Sequence, residues 1–549
     1  MELLVDLFGY LSIVVHGLTI LSQSMALGGA LFLVFLARPF DLPEIAATAA
    51  RIAGWAAVAL VLSEAATVGL QAAVLMDTVG LSFLDVMGAG FAIAGTIKIA
   101  AAAVLALALL TRRPARWAPS ALLLALTVVE LAAATLTTHA AARLDDQAVL
   151  LLVEGLHQLG AAIWIGGLPC FLMALARLHD PELFRQVGAR YSRMSMVGVA
   201  CILVSGLTMS VFYIGDWQGL YGTAFGVMVG AKVVMFLMLL ALGAGNFGIV
   251  ERLRRNPATP VLRLRRFAEV EFGIGIAIFF AAASLTSVPP AVDLTQDRVT
   301  WHEIVERNTP EWPRLTSPDH DSLALPALQE KLDRQAARQA TAPQAAFVPG
   351  SGELPPRNAE DIAWSEYNHH WAGLFVVAIG LLALLNRAGV RPARHWPLLF
   401  IGLAVFLFFR SDPETWPLGD IGFFESFRDV EVLQHRAFVV LIVVFAVFEW
   451  RVRAGGLTRG WPVLVFPLLC AGGGTLLLTH SHAIANLKDQ LLIELTHTPL
   501  AIAGIAAGWA RWLELRLDPR QNPVAWRTAS WLWPACLVFC GLLLLGYRE

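Results

Sequence analysis

Near its C-terminal end the chain reads LLLTHSHAIANLKDQLLIELTHTPLAIAG over residues 476–504, which brings His480, His482, Glu494 and His497 into one short run. Imidazoles in this number suit copper(II), copper(I) if a thioether joins them, or zinc. A carboxylate three residues before an imidazole shares its helix face, where it can orient the ring or co-ligate a metal. An earlier run, TLTTHAAARLDDQAVLLLVEGLHQLGAAIW over 135–164, has the same order: Thr-His at a helix end, Asp-Gln in the turn, then Glu154-x-x-His157. Eighteen residues separate His139 from His157, and seventeen separate His480 from His497. A diverged internal duplication and a chance similarity between apolar helices both fit this.

The rest of the chain explains why such groups stand out. Of its 549 residues 57% are hydrophobic and 15% charged, and the mean hydropathy is +0.64. That is the composition of a multi-span membrane protein, not of a soluble domain. The net charge of −2 selects no partner. About fourteen apolar segments are long enough to read as spans: 7–37, 46–76, 87–110, 118–138, 147–176, 194–214, 222–249, 268–288, 363–385, 396–410, 431–450, 461–479, 487–512 and 528–546. The expected fold is therefore all-α and polytopic, with two helical bundles. The first run is too long for a cleavable signal peptide and lacks its basic start, so it reads as a true span. Five cysteines lie in apolar spans with no Cys-x-x-Cys pair and read as core residues.

Every second connection is rich in arginine, from Arg38 and Arg51 to Arg511, Arg516, Arg520 and Arg527. By the positive-inside rule those loops are cytoplasmic and both termini external. His16, His157 and His497 then lie about ten residues into their spans from the outside, roughly 15 Å down. His369, His370 and His435 start spans, and His139, His480 and His482 sit at outer ends. Glu64, Glu154, Glu269, Glu271 and Glu494 join them in apolar segments. Ionisable groups there pair, line a cavity or serve a substrate path, although a single histidine can also be only an interhelical hydrogen-bonding group. The expected metal ligands are His16, His157, His435, His480, His482 and His497 with Glu154 and Glu494. His480 and His482 would form the outer mouth, and His157 and His497 the deep positions. If the group held were haem b instead, its axial ligands would come from His16, His157, His435 or His497. Gly28–Gly29 and Gly166–Gly167 read as close helix contacts. No ATP-binding loop is visible, so transport would be passive or ion-coupled.

HQLGAAIWIGGLPCFLMALARL at 157–178, GTAFGVMVGAKVVMFLMLLALGAGNF at 222–247 and LRRFAEVEFGIGIAIFFAAASLTSVPPA at 264–291 resemble, in order and spacing, the CopD family of bacterial copper-resistance membrane proteins. His157, Trp164, Gly166, Gly167, Lys232, Asn246 and Glu271 match that pattern. The resemblance implies an inner-membrane, non-enzymatic protein of copper homeostasis, surrounded by lipid and working with a small periplasmic CopC-type copper-binding partner. The membrane protoporphyrinogen oxidase family is similar more distantly, which keeps a haem-binding electron-transfer protein or oxidoreductase as one rival; a non-transporting dock for a periplasmic copper chaperone, using the 289–361 loop, is the other. The expected organisation is four N-terminal spans in 1–146, a CopD-like core in 147–292, an external linker in 293–361 with an amphipathic helix near 324–340, and a C-terminal membrane part in 362–549.

Overall fold

The computed structural model describes residues 2–111, 118–178, 180–256, 259–294, 298–318, 359–412, 415–419, 421–428, 430–457, 460–479 and 488–548. Among them the chain is all-α, with no β-strand and a polytopic set of apolar helices. These are α1 (Glu2–Phe32), α2 (Pro43–Thr78), α3 (Gly90–Leu110), α4 (Ser120–Thr135), α5 (Gln147–Arg177), α6 (Pro181–Tyr213), α7 (Ala224–Arg255), α8 (Leu262–Leu285), α9 (Ala359–Arg387), α10 (Arg391–Arg410), α11 (Val430–Arg453), α12 (Trp461–Leu477), α13 (Lys488–Arg516) and α14 (Pro523–Leu545).

Each apolar segment read from the sequence is a helix, and among the described residues twelve are long and apolar enough for a full span. The two short ones are α4 and α12. The sixteen residues of α4 rise about 24 Å, less than the roughly 30 Å of a hydrocarbon core. It follows Pro119, and Thr135, Thr137 and Thr138 at its end turn their hydroxyls back onto carbonyls of the final turn. Local side-chain bonds of this kind compete with helix extension. The starts are set by ordinary chemistry: Asp180 accepts from the Glu182 backbone N–H with Pro181 in the first turn of α6. Apolar side chains such as Leu62, Leu107, Leu152 and Leu207 remain exposed, as a lipid-facing surface requires.

The chain divides into two compact units. One comprises Leu11–Leu220 and Met228–Thr295. It holds the N-terminal helices from Leu11 onward together with those of 147–285. The reason is a close crossing of α1 and α5. A Cβ on Gly28 would overlap the backbone of Ala162 and Gly166, and one on Gly166 would overlap the Ser24 carbonyl, so only glycine lets these backbones meet. Both helices carry a π turn there, at Leu33–Ala37 after α1 and at Ala162–Gly166 within α5.

The other unit comprises Gln296–Glu549 with Met1–Tyr10 and Tyr221–Val227. Its core is aromatic. Trp396 packs 5.5 Å from Trp533 and 5.8 Å from Phe466, and Phe400 lies 4.7 Å from Phe445. Beside it Arg511 bridges Glu449 (2.9 Å) and Glu514 (2.6 Å), while Arg453 also reaches Glu449 (2.7 Å). Of the linker expected over 293–361, a short helix at Trp301–Arg307 is described; the helix expected near 324–340 lies outside the described residues.

Candidate functional site

The first unit holds a ladder of polar side chains between apolar helices. On α1, His16, Thr19 and Gln23 follow one another at helical spacing. The Thr19 hydroxyl lies 3.4 Å from that of Thr67 on α2. Gln23 donates its amide to Gln158 on α5 (3.0 Å), and Gln158 in turn donates to Glu154 (3.1 Å). The ladder ends at Glu271 on α8, whose carboxylate accepts from Trp164 Nε1 (3.2 Å) and Asn246 Nδ2 (2.5 Å). Tyr191 braces it by donating to the Trp164 carbonyl (2.7 Å). From Glu154 to Trp164 is ten residues of α5, about 15 Å of rise.

Hydrogen-bond accounting fixes the His157 tautomer. Its Nδ1 lies 3.0 Å from the Ser205 hydroxyl, and that hydroxyl donates its single proton to the Cys201 carbonyl at 2.6 Å. The hydroxyl must therefore accept, so Nδ1 carries the proton and Nε2 keeps its lone pair. A neutral imidazole with one nitrogen anchored and the other presenting a lone pair is the form that ligates metals. The orienting group is thus Ser205 on α6, not Glu154 as the three-residue spacing suggests; Glu154 turns to Gln158. Lys232 on α7 is the charged neighbour of both Glu154 and His157.

A second cluster escapes a reading based on histidine depth. Lys98 on α3 and Glu64 on α2 form an ion pair of 2.6 Å, with both side chains almost fully buried. Glu130 on α4 is 1% exposed, and neither carboxylate oxygen has a hydrogen-bond partner among the described residues. His16 lies within the field of Lys98. The signal was present in the sequence, since Lys98 and Glu130 each interrupt an otherwise apolar run. Glu269, expected in the membrane set, instead lies near the start of α8 and pairs with Arg266.

In the second unit His369 and His497 stand with ring centroids 5.6 Å apart, and Tyr547 stacks on His369 at 3.9 Å. His369 Nδ1 donates to the Ser365 carbonyl (2.8 Å) and His497 Nδ1 to the Ile493 carbonyl (3.0 Å), the same anchoring of Nδ1 as in His157. His370 is fully engaged, accepting from the Arg314 backbone N–H and donating to the Tyr547 carbonyl. It lines a cavity of about 220 Å³ with Arg314, Glu366 and Arg548. His435 donates from Nδ1 to Asp412 (2.7 Å). Burial opposes charge on Asp412, but the His435 bond and the nearby Arg436 outweigh it and hold the carboxyl below its usual range. Glu494 is buried on α13. His480 and His482 lie outside the described residues, and Asp489–Gln490, expected in a turn, lie within α13. Among the described residues no group of three or more His, Cys, Asp or Glu side chains could hold a metal ion.

The Glu271 cluster yields a direct test. Glu271→Leu would orphan the Trp164 and Asn246 donors, each costing about 1–3 kcal/mol, whereas Glu271→Gln keeps an acceptor for one of them. Thermal unfolding of the detergent-solubilised protein is expected to show a large drop for leucine and a small one for glutamine.

The family model for copper resistance protein D matches residues 185–285. This segment includes Lys232, Asn246 and Glu271 and begins after His157 and Trp164. The copper transport protein CutJ of Bacillus subtilis (strain 168) is 33% identical over 162 residues, which is 29% of this chain and 29% of that protein. The chain thus spans less than a third of the length of this curated relative. No solved structure matches. Over the helices that carry Lys232, Asn246 and Glu271, the chain is similar to the copper resistance protein D family.

Proposed function

We propose that the protein binds copper within its membrane helices and moves it across the membrane, without catalysing a chemical reaction. The observation that carries this reading is His157: an imidazole whose Nδ1 is anchored by Ser205 and whose Nε2 keeps its lone pair, on the helix that also carries Gln158 and Glu154 of the polar ladder. A borderline ion suits such a donor. The family region and the printed name of the Bacillus subtilis relative support copper as the cargo. His497, anchored in the same manner, is the corresponding ligand of the second unit.

The arginine-rich connections support a plasma-membrane protein with both termini on the outer face. A small periplasmic copper-binding partner of the CopC type would dock on the linker, where Trp301 and Trp312 are exposed.

The experiment is metal analysis with an ultraviolet–visible spectrum of the purified protein, wild type beside His157→Ala and Ser205→Ala. Copper near stoichiometry is expected in the wild type and a strong loss in His157→Ala. Ser205→Ala removes only the anchor, and an intermediate loss of about 10–100-fold in affinity is expected. Zinc in place of copper, a Soret band, or unchanged copper in His157→Ala would overturn the assignment.

A further inference from the structure

We propose that Glu64, Lys98 and Glu130 form a proton-binding site, in which one ammonium serves two carboxylates and Glu130 holds the proton. Lys98 is 2% exposed, Glu64 3% and Glu130 1%. The ammonium is already committed to Glu64 at 2.6 Å, while both Glu130 oxygens lack a hydrogen-bond partner among the described residues. With every group ionised the cluster would carry one uncompensated negative charge. A buried charge of that kind costs several kcal/mol, whereas a buried neutral carboxyl lacking its hydrogen bonds costs about 1–3 kcal/mol. The comparison favours the protonated acid.

Among the described residues the surroundings supply no other cation to Glu130. Lys98 from α3 and Glu64 from α2 are the charged groups in whose field Glu130 lies. From α1, His16 faces Lys98. On the remaining side α4 meets α5 through Thr135 against Gly155, and no charged group of α5 contributes to the field at Glu130. Gly95, one turn before Lys98 on α3, lets the helix pass close to this pair: a Cβ there would lie 2.5 Å from Val68 and 3.2 Å from the Glu64 carboxylate.

The step is a simple proton transfer. Glu130–COOH gives its proton to water and becomes carboxylate, and the Lys98 ammonium shifts from Glu64 toward the new charge. Reprotonation of either carboxylate returns the cluster to neutrality. Within the copper-transport reading, on which this consequence rests, the site would supply a coupling proton; the site itself does not depend on that reading.

The test is infrared spectroscopy of the full-length protein in lipid nanodiscs without copper, titrated with pH in water and in deuterium oxide. The wild type is expected to show a carboxylic-acid carbonyl stretch that shifts in deuterium oxide and is missing in Glu130→Gln. In Glu64→Gln the ammonium is released to Glu130, which should ionise, so the same band is lost although Glu130 is intact. A purely structural cluster would not produce that second loss. Absence of the band from the wild type, its survival in Glu130→Gln, or its persistence in Glu64→Gln would overturn the proposal. If Glu130→Gln does not fold, the wild type is treated with dicyclohexylcarbodiimide, which reacts with protonated membrane carboxyls, and analysed by peptide mass spectrometry. Modification at Glu130 supports the site, and an unmodified Glu130 rejects it. Loss of copper binding alone leaves every one of these readouts unchanged, so failure of the transport reading is distinguishable from failure of the site.

Discussion

Valine in place of Gly166 is expected to abolish the monodisperse protein peak in detergent, while valine in place of Gly206 leaves it intact. Both positions are helical, yet nothing lies within 4 Å of a Cβ built at Gly206, whereas one at Gly166 would overlap the Ser24 carbonyl. Overpacking among side chains typically costs about 1–3 kcal/mol, because neighbours change rotamer. Here the obstacle is backbone on both sides, and backbone has no rotamer to change. The crossing of α1 and α5 would have to open, taking with it the Gln23–Gln158 bond just before it. Size-exclusion profiles of the two variants decide the matter; equal profiles would mean that the crossing is not essential to the fold.

Lys98→Met should be the most destabilising single change in the polar interior. It leaves Glu64 buried without its counter-charge beside Glu130, and breaking a buried pair from one side costs about 3–5 kcal/mol. Changing both partners, Lys98→Met with Glu64→Gln, removes the orphaned charge and should recover most of that loss, since an apolar or neutral replacement of a buried pair is often close to neutral. Thermal unfolding of wild type, single and double variants tests this. A double variant no more stable than the single one would show that the lysine stem, not its charge, is what the helices need.

The helices were legible because an apolar run of about 20 residues broken by arginine leaves little choice of structure. The same rule does not register what shortens α4, namely Pro119 and the threonines at its end. The site was legible in part. His157, Trp164, Asn246 and Glu271 stand out by type and pattern, and three of them meet at the Glu271 carboxylate. What spacing could not reveal is partnership across helices. Glu154 and His157 share a face, yet the partner that fixes the histidine tautomer, Ser205, is 48 residues away. Lys98 and Glu130 are legible as charges in apolar runs. Their relation to Glu64 depends on the packing of α2, α3 and α4, which no single segment records.

The π turn in α5 sets the angular phase of the whole ladder. Gln158 and Gly166 both face α1, one bonded to Gln23 and the other seated against Ser24. They are eight residues apart, which in an uninterrupted α-helix would leave them about 80° out of phase. Absorbing one residue in the wider turn at Ala162–Gly166 reduces the effective spacing to seven, about 20° out of phase. The extra residue acts as a shim: it lets one helix show α1 first a hydrogen-bonding amide and then a bare backbone, two surfaces that a regular helix would have pointed at different neighbours.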